Sequence, residues 1–160
     1  MAVSDTDTDD TVTLDAVAET VNKVRDYLFP FDHVEVDADG SASLTYGSAR
    51  VVVGVSVFDE DQSLVRVSAM CVTGATASPE LYHYVATFQS EIGHLSVIDQ
   101  GDGSLCIEYS HGLLGEFLNP AELRLTVIAV ALLADRIDDE LAERFGGTVH
   151  DASANDTASD

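Results

Sequence analysis

"ARVVVGVSVFDEDQSLVRVSAMCVTG" (49–74) decides the fold. Its two arms, 49–58 and 63–74, are long β-branched runs, and the polar "DEDQ" between them breaks the pattern. Such a pair predicts two antiparallel strands joined by a hairpin. On the first arm Val51, Val53, Val55 and Val57 share one face and are expected to pack on helices. The opposite positions are Val52, Gly54, Ser56 and Phe58. On the second arm Leu64, Arg66, Ser68, Met70 and Val72 alternate in the same mixed way. An antiparallel sheet can leave one face to water, yet Val52, Phe58, Leu64 and Met70 are too apolar for a plain solvent face. A helix or a dimer mate covers them, or they form a groove for an apolar peptide, aided by the flexible methionine.

Upstream, "HVEVDADGSASLTYG" has two short alternating arms around Asp39-Gly40, a further hairpin signal. Before it, Leu14, Val17, Val21, Val24 and Leu28 step by three and four along an amphipathic helix. Thr13 is the expected N-cap, and Pro30 stops the helix. Downstream, Ser78-Pro79-Glu80 opens a second helix: serine caps, proline takes the first helical position, and glutamate suits the positive end. Leu81, Val85, Phe88 and Ile92 form its stripe, with Gly93 as the expected terminator. "HLSVID" and "SLCIEYS" read as strands joined across "QGDG", and Asn119-Pro120 starts a long helix that ends at Phe145 before Gly146-Gly147. The expected order is α-β-β-β-α-β-β-α, with an extra short first arm as the alternative. This is an α+β domain with a twisted antiparallel sheet and flanking helices. Residues 12–147 form the domain, and the polar, acidic stretches 1–11 and 148–160 are expected to be disordered tails.

The last helix carries two questions. Leu123, Val127, Val130, Ala134, Ile137, Leu141 and Phe145 form one continuous stripe. A second stripe, Leu125, Ile128 and Leu132, lies roughly opposite, and a helix apolar on two sides must be buried on two sides. Residues 12–28 or 113–118 can supply that second cover within the chain; otherwise a second copy does, in a homodimer. Asp135, Asp138 and Asp139 have the spacing by which helices offer carboxylates to a metal. Asp135 and Asp139 sit away from the core stripe and Asp138 nearer its edge, with no second ligand cluster in view. They read as a solvated acidic face; the opposing reading is a metal-dependent hydrolase.

Charge narrows the setting. Asp plus Glu number 29 against 7 Lys plus Arg, a formal −22, and Lys23 is the single lysine. Self-repulsion of this size destabilises a compact state at low salt, whereas molar salt shortens the Debye length to ~3 Å. The balance suggests the cytoplasm of a salt-accumulating cell. Nucleic acid is not an expected partner, because phosphate binding needs Lys/Arg patches. No apolar run approaches the roughly 20 residues of a membrane span, and "MAVSDTDTDD" has no signal-peptide pattern. Cys71 and Cys106 lie in apolar strand-like runs and are expected to be buried thiols.

The stretch "SHGLLGEFLNPAELRLTVIAVALLADRIDDELAERFGG" (110–147) resembles the C-terminal signature of YbjN-like proteins. These group with the type III secretion chaperone-like, peptide-binding chaperones. The features that carry the resemblance are Ser110-His111, Leu113-Leu114-Gly115, Asn119-Pro120-x-Glu122-Leu123, and Ala134-Asp135-x-x-Asp138-Asp139-Glu140-Leu141 with Phe145-Gly146-Gly147. The element order of 12–147 is similar to the same fold. The resemblance implies a non-enzymatic, dimeric protein that binds extended client segments on a hydrophobic surface. It also makes the acidic triplet part of a helix-end signature. A salt-adapted cell need not possess a type III secretion apparatus, so no client carries over. A regulatory protein without chaperone activity remains a third reading.

Other motifs add little. Residues 35–40 begin like a calcium loop, but its twelfth position is Tyr46 and its flanks read as strands, so a β-turn is expected. His83, His94 and His111 have no nucleophile motif around them. No catalytic residue, metal or cofactor is assigned.

Overall fold

The computed structural model describes residues 9–150, with side chains from Asp15 onward. The remainder of both expected tails, and the Leu14 side chain, lie outside the described residues. Helix α1 (Asp9–Leu28) starts before the expected Thr13 cap. Strands β1 (Glu35–Val36), β2 (Ala42–Tyr46), β3 (Ala49–Asp59) and β4 (Gln62–Ala75) follow. Then come α2 (Pro79–Thr87), β5 (His94–Asp99), β6 (Leu105–Leu114), a 3-10 turn (Gly115–Phe117), α3 (Pro120–Phe145) and β7 (Thr148–Val149). The strands form one antiparallel sheet in the order β1-β2-β3-β4-β6-β5, with β7 against β4. The expected α+β order holds, with β1 as the short first arm and β7 as an addition. No helix among the described residues is long and apolar enough to cross a membrane.

Strand β4 is the spine of the sheet. It pairs with β3 from Asp59↔Gln62 to Val51↔Ala69, and with β6 from Leu64↔Leu114 to Ala75↔Leu105. Beyond Ala69 its β3-side edge runs on without that partner. There β7 takes over, Val72↔Val149 and Thr73↔Thr148, and the His150 amide donates to the Cys71 carbonyl at 3.0 Å. Thr148 and Val149 are thus part of the sheet. The turn that returns them requires Gly146 at φ 76° and Gly147 at φ 89°. A Cβ on Gly147 would stand 2.5 Å from the Thr73 carbonyl oxygen.

One face of the sheet carries the core. Val51, Val53, Val65 and Val67 are fully buried beneath α1 and α3, which supply Val24, Leu28, Leu123, Val127, Val130 and Leu141. Each such side chain contributes about 1.5–3 kcal/mol relative to exposure. Val57, expected in this set, is 53% exposed although its cross-strand partner Ser63 is buried; β2 pairs with β3 only as far as Val53, so Val57 lies on an open edge. Helix α2 sits near the β5 side, with Phe88 at its end meeting Tyr109 and Tyr84 meeting Phe145 in edge-to-face contacts. The Ser78 hydroxyl accepts from the Leu81 amide, as the cap signal predicts.

Helix α2 is shorter than expected. The Thr87 hydroxyl donates to the His83 carbonyl at 2.8 Å, and Phe88 turns extended to meet Tyr109. Ile92 is therefore outside the helix and 38% exposed, its carbonyl accepting from the Tyr109 hydroxyl. Gly93 lies against β6 instead of ending α2: a Cβ there would be 2.6 Å from the Ser110 carbonyl oxygen.

Candidate functional site

Among the described residues no helix covers the second face of the sheet, and the register places its side chains. Ser43, Val52, Ser68, Ser110 and His94 form one row across β2, β3, β4, β6 and β5. Gly54, Arg66 and Gly112 form the next, and Ser56, Leu64 and Leu114 the one after. The two glycines leave Arg66 room to lie along the sheet. It donates to Glu108 at 2.7 Å and to the Ser110 hydroxyl at 3.2 Å. Arg50 similarly donates to the Ser43 hydroxyl at 3.0 Å and approaches Glu35 at 3.6 Å. These half-exposed pairs contribute modestly to stability, but they fix a polar strip across the middle of the open face.

That strip divides the candidate peptide-binding residues. Phe58 and Leu64 lie at the β3–β4 hairpin end, where Leu114 pairs opposite Leu64. Phe58 is 58% exposed and Leu114 39%. Phe117, 74% exposed, follows in the 3-10 turn. Val52 sits instead between Ser43 and Ser68, and Met70 opposite Glu108. Leu64 and Met70 are about 20 Å apart at ~3.3 Å per residue, with Arg66 between them. Two of the four expected residues come together and two do not. Leu114 was missed, because "LL" in an alternating strand does not reveal which leucine faces out; only the pairing with Leu64 does.

A buried polar knot anchors the hairpin end from beneath. The Thr20 and Ser63 hydroxyls are 2.7 Å apart, and Glu116 accepts from the Ser63 amide at 2.8 Å. Burial works to raise the Glu116 carboxyl, but its hydrogen bonds from Ser63, its own amide and the Lys23 charge outweigh this and hold it below its ordinary value.

On α3 the core stripe is buried throughout. Of the second stripe, Ile128 is half-buried, while Leu125 and Leu132 are 66% and 56% exposed. Neither α1 nor residues 113–118 cover those two leucines. Arg124 donates to the Tyr27 carbonyl at 2.8 Å, so the end of α1 lies beside the same stretch of α3.

In the acidic triplet Asp135 and Asp139 are exposed and Asp138, nearer the core edge, is half-buried, as their helical positions imply. Ser48, in the β2–β3 turn, donates to Asp135. The three aspartates line a shallow hollow with Ser48 and Val149. Burial raises the Asp138 carboxyl above its ordinary value, and the charges of Asp139 and Asp135 add to the rise against the Asp139 amide that donates to it. Asp135 is thus a tether between helix and turn, a role that spacing along the helix cannot show. Among the described residues no group of three or more His, Cys, Asp or Glu is arranged to hold a metal ion.

The Gly40 amide donates to the Asp37 carbonyl at 3.0 Å, the hydrogen bond of the expected β-turn, and the Asp37 and Asp39 carboxylates accept from Ser41. His83 is on α2, His94 opens β5 and His111 is on β6. Cys71 and Cys106 are buried, and burial, followed by the Asp138 charge, pushes the Cys71 thiol up to about 12.

Among solved structures, the ExsC–ExsE complex is similar at 16% identity and a TM-score of 0.49, covering 84% of this chain and 96% of that one. The Yersinia pestis type III secretion chaperone SycH, in complex with a stable fragment of YscM2, is similar at 11% identity and a TM-score of 0.43, covering 78% and 98%. Curated proteins gave no match. The model of the family described as T3SS (YopN, CesT) and YbjN peptide-binding chaperone 1 matches residues 15–153. With nearly the whole described chain matched, this protein belongs to that family of T3SS and YbjN peptide-binding chaperones.

Proposed function

We propose that this chain is a chaperone-like module that binds an extended peptide or protein segment, and that it works by binding, without catalysis. The observation that carries the reading is a family match over 15–153 on a sheet with one face closed by helices and one open. The open face offers Phe58, Leu64 and Leu114 at one end, and Val52 and Met70 beyond the Arg66 strip. An extended segment suits such a surface because its side chains alternate with the same period as the sheet.

The protein acts as a homodimer in this reading. Leu125 and Leu132 are exposed on the side of α3 away from its core stripe, with Ile128 half-buried between them. A salt-rich cytoplasm is the setting in which a formal −22 is tolerated. Neither nucleic acid nor membrane is a partner.

Selection of peptides from a random phage-displayed library, in molar KCl, tests the binding role. Selected peptides should lose affinity for Leu64→Ser/Leu114→Ser while circular dichroism stays native. Undiminished binding to that variant would remove the open face from the function. Thermal melts from dilute buffer to molar KCl test the setting: the melting temperature should climb steeply, and a flat profile would end the salt argument.

A further inference from the structure

The β3–β4 tip differs from the rest of the open face in its charge. Arg50 and Arg66 cross the middle of that face, each beside a glutamate. At the tip, Phe58, Leu64 and Leu114 are bordered by the turn that carries Asp59 and Asp61, both exposed. No lysine or arginine occurs at 51–65 or 112–123. Lys23, whose charge reaches Glu116, is engaged with Glu19 at 2.9 Å. Arg66 bounds the patch on its inner side but is paired with Glu108 at 2.7 Å; the outer border is acidic, and an apolar patch so bordered selects against anionic segments and for cationic ones.

We propose that this tip receives an extended segment with large apolar side chains flanked by lysine or arginine. The proposal rests on the peptide-binding reading above and names the chemistry of its client. In an extended chain, residues two apart point the same way. An apolar side chain can then seat between Phe58, Leu64 and Leu114 while the flanking cations reach Asp59 and Asp61. Phe117, on the 3-10 turn that Glu116 ties to Ser63, extends the apolar ground.

The competing explanation is that these acids only share in the general negative charge. A matched pair elsewhere separates the two. Asp139 and Glu143 are exposed on α3. Asp139 lines the hollow beside Ser48, just before β3 begins and about 30 Å from Asp59 at the far end of that strand. Removing either pair changes net charge equally.

The test uses fluorescein-labelled KKFSLKK and EEFSLEE in anisotropy titrations against the full chain. The KCl concentration is the lowest at which circular dichroism is native. KKFSLKK should bind at least about fivefold more tightly than EEFSLEE. Asp59→Asn/Asp61→Asn should erase that preference, Asp139→Asn/Glu143→Gln should preserve it, and Leu64→Ser/Leu114→Ser should weaken both peptides. Equal loss of preference with the two charge pairs would overturn the proposal, leaving only a general field. If both peptides bind equally and both depend on Leu64 and Leu114, the cation preference fails while the peptide-binding reading stands. If neither peptide binds, the proposal fails, and the phage selection decides the broader reading separately.

Discussion

The two faces of the sheet come from the same strands and have opposite fates. Along β3, Val51 and Val53 are fully buried, whereas Val52 between them is 36% exposed. Along β4, Val65 and Val67 are buried while Arg66 between them lies on the surface. Residue type does not separate Val52 from Val53; the pleat and the helices do. The closed face is apolar side chains against apolar side chains. The open face gathers Phe58, Leu64 and Leu114 at its hairpin end and pairs its cations with glutamates beyond them. The first arrangement stabilises the fold, and the second leaves Phe58 and Leu114 exposed at the tip.

The sharpest way to break this contrast is to place one charge on each face. Val67→Asp buries an unpaired carboxylate and should prevent folding, a cost above about 4 kcal/mol. Val52→Asp should cost less than about 1.5 kcal/mol. Circular dichroism and thermal melts in molar KCl compare them, and equal damage would mean that both faces are closed. Next comes the anchor under the tip. Gly115→Ala sets a Cβ 2.0 Å from the Ser63 hydroxyl and 2.7 Å from Thr20. It should cost about 1–3 kcal/mol, read as a lower melting temperature; an unchanged melt would show that the knot can yield.

The exposed side of α3 gives a third comparison. Leu125→Glu/Leu132→Glu should retain the fold and dissociate the dimer, weakening it by at least about tenfold. Light scattering of wild type and variant checks this, and a wild type monomeric at high concentration ends the dimer reading. The smallest effect belongs to Asp138. Its folded-state value is raised, so the folded protein binds the extra proton between the unfolded and folded values. Stability therefore falls as pH rises through that window, and the penalty is complete above it. Asp138→Asn should raise the melting temperature at neutral pH, by less than about 1 kcal/mol of stability, and change little below the ordinary aspartate range. A loss of stability at neutral pH would give the carboxylate a structural role.

Much of this was legible in the sequence where a period repeats. The 49–74 hairpin and the core stripe of α3 emerged as read, because alternation and three-four stepping persist over many residues. The caps at Ser78 and Asn119 were legible for a local reason: each serves an amide within three residues. What failed depended on partners distant in sequence. Phe88 leaves its helix for Tyr109, and Thr148 joins β4 only because β3 has already ended. The candidate surface was legible as a face and not as a patch, since period-two alternation says that Leu64 and Met70 share a side and nothing of the Arg66 strip between them.

The place of β4 also sets a timetable. Its first neighbour, β3, precedes it immediately, but its second, β6, begins about 30 residues after Ala75. At ~5–20 residues per second, a nascent β4 waits seconds with one edge unpaired. Helix α3, which closes the valine face, is made later still. The newborn sheet is therefore a host with both sides bare, and the protein passes through the same exposed condition that it is proposed to manage in others.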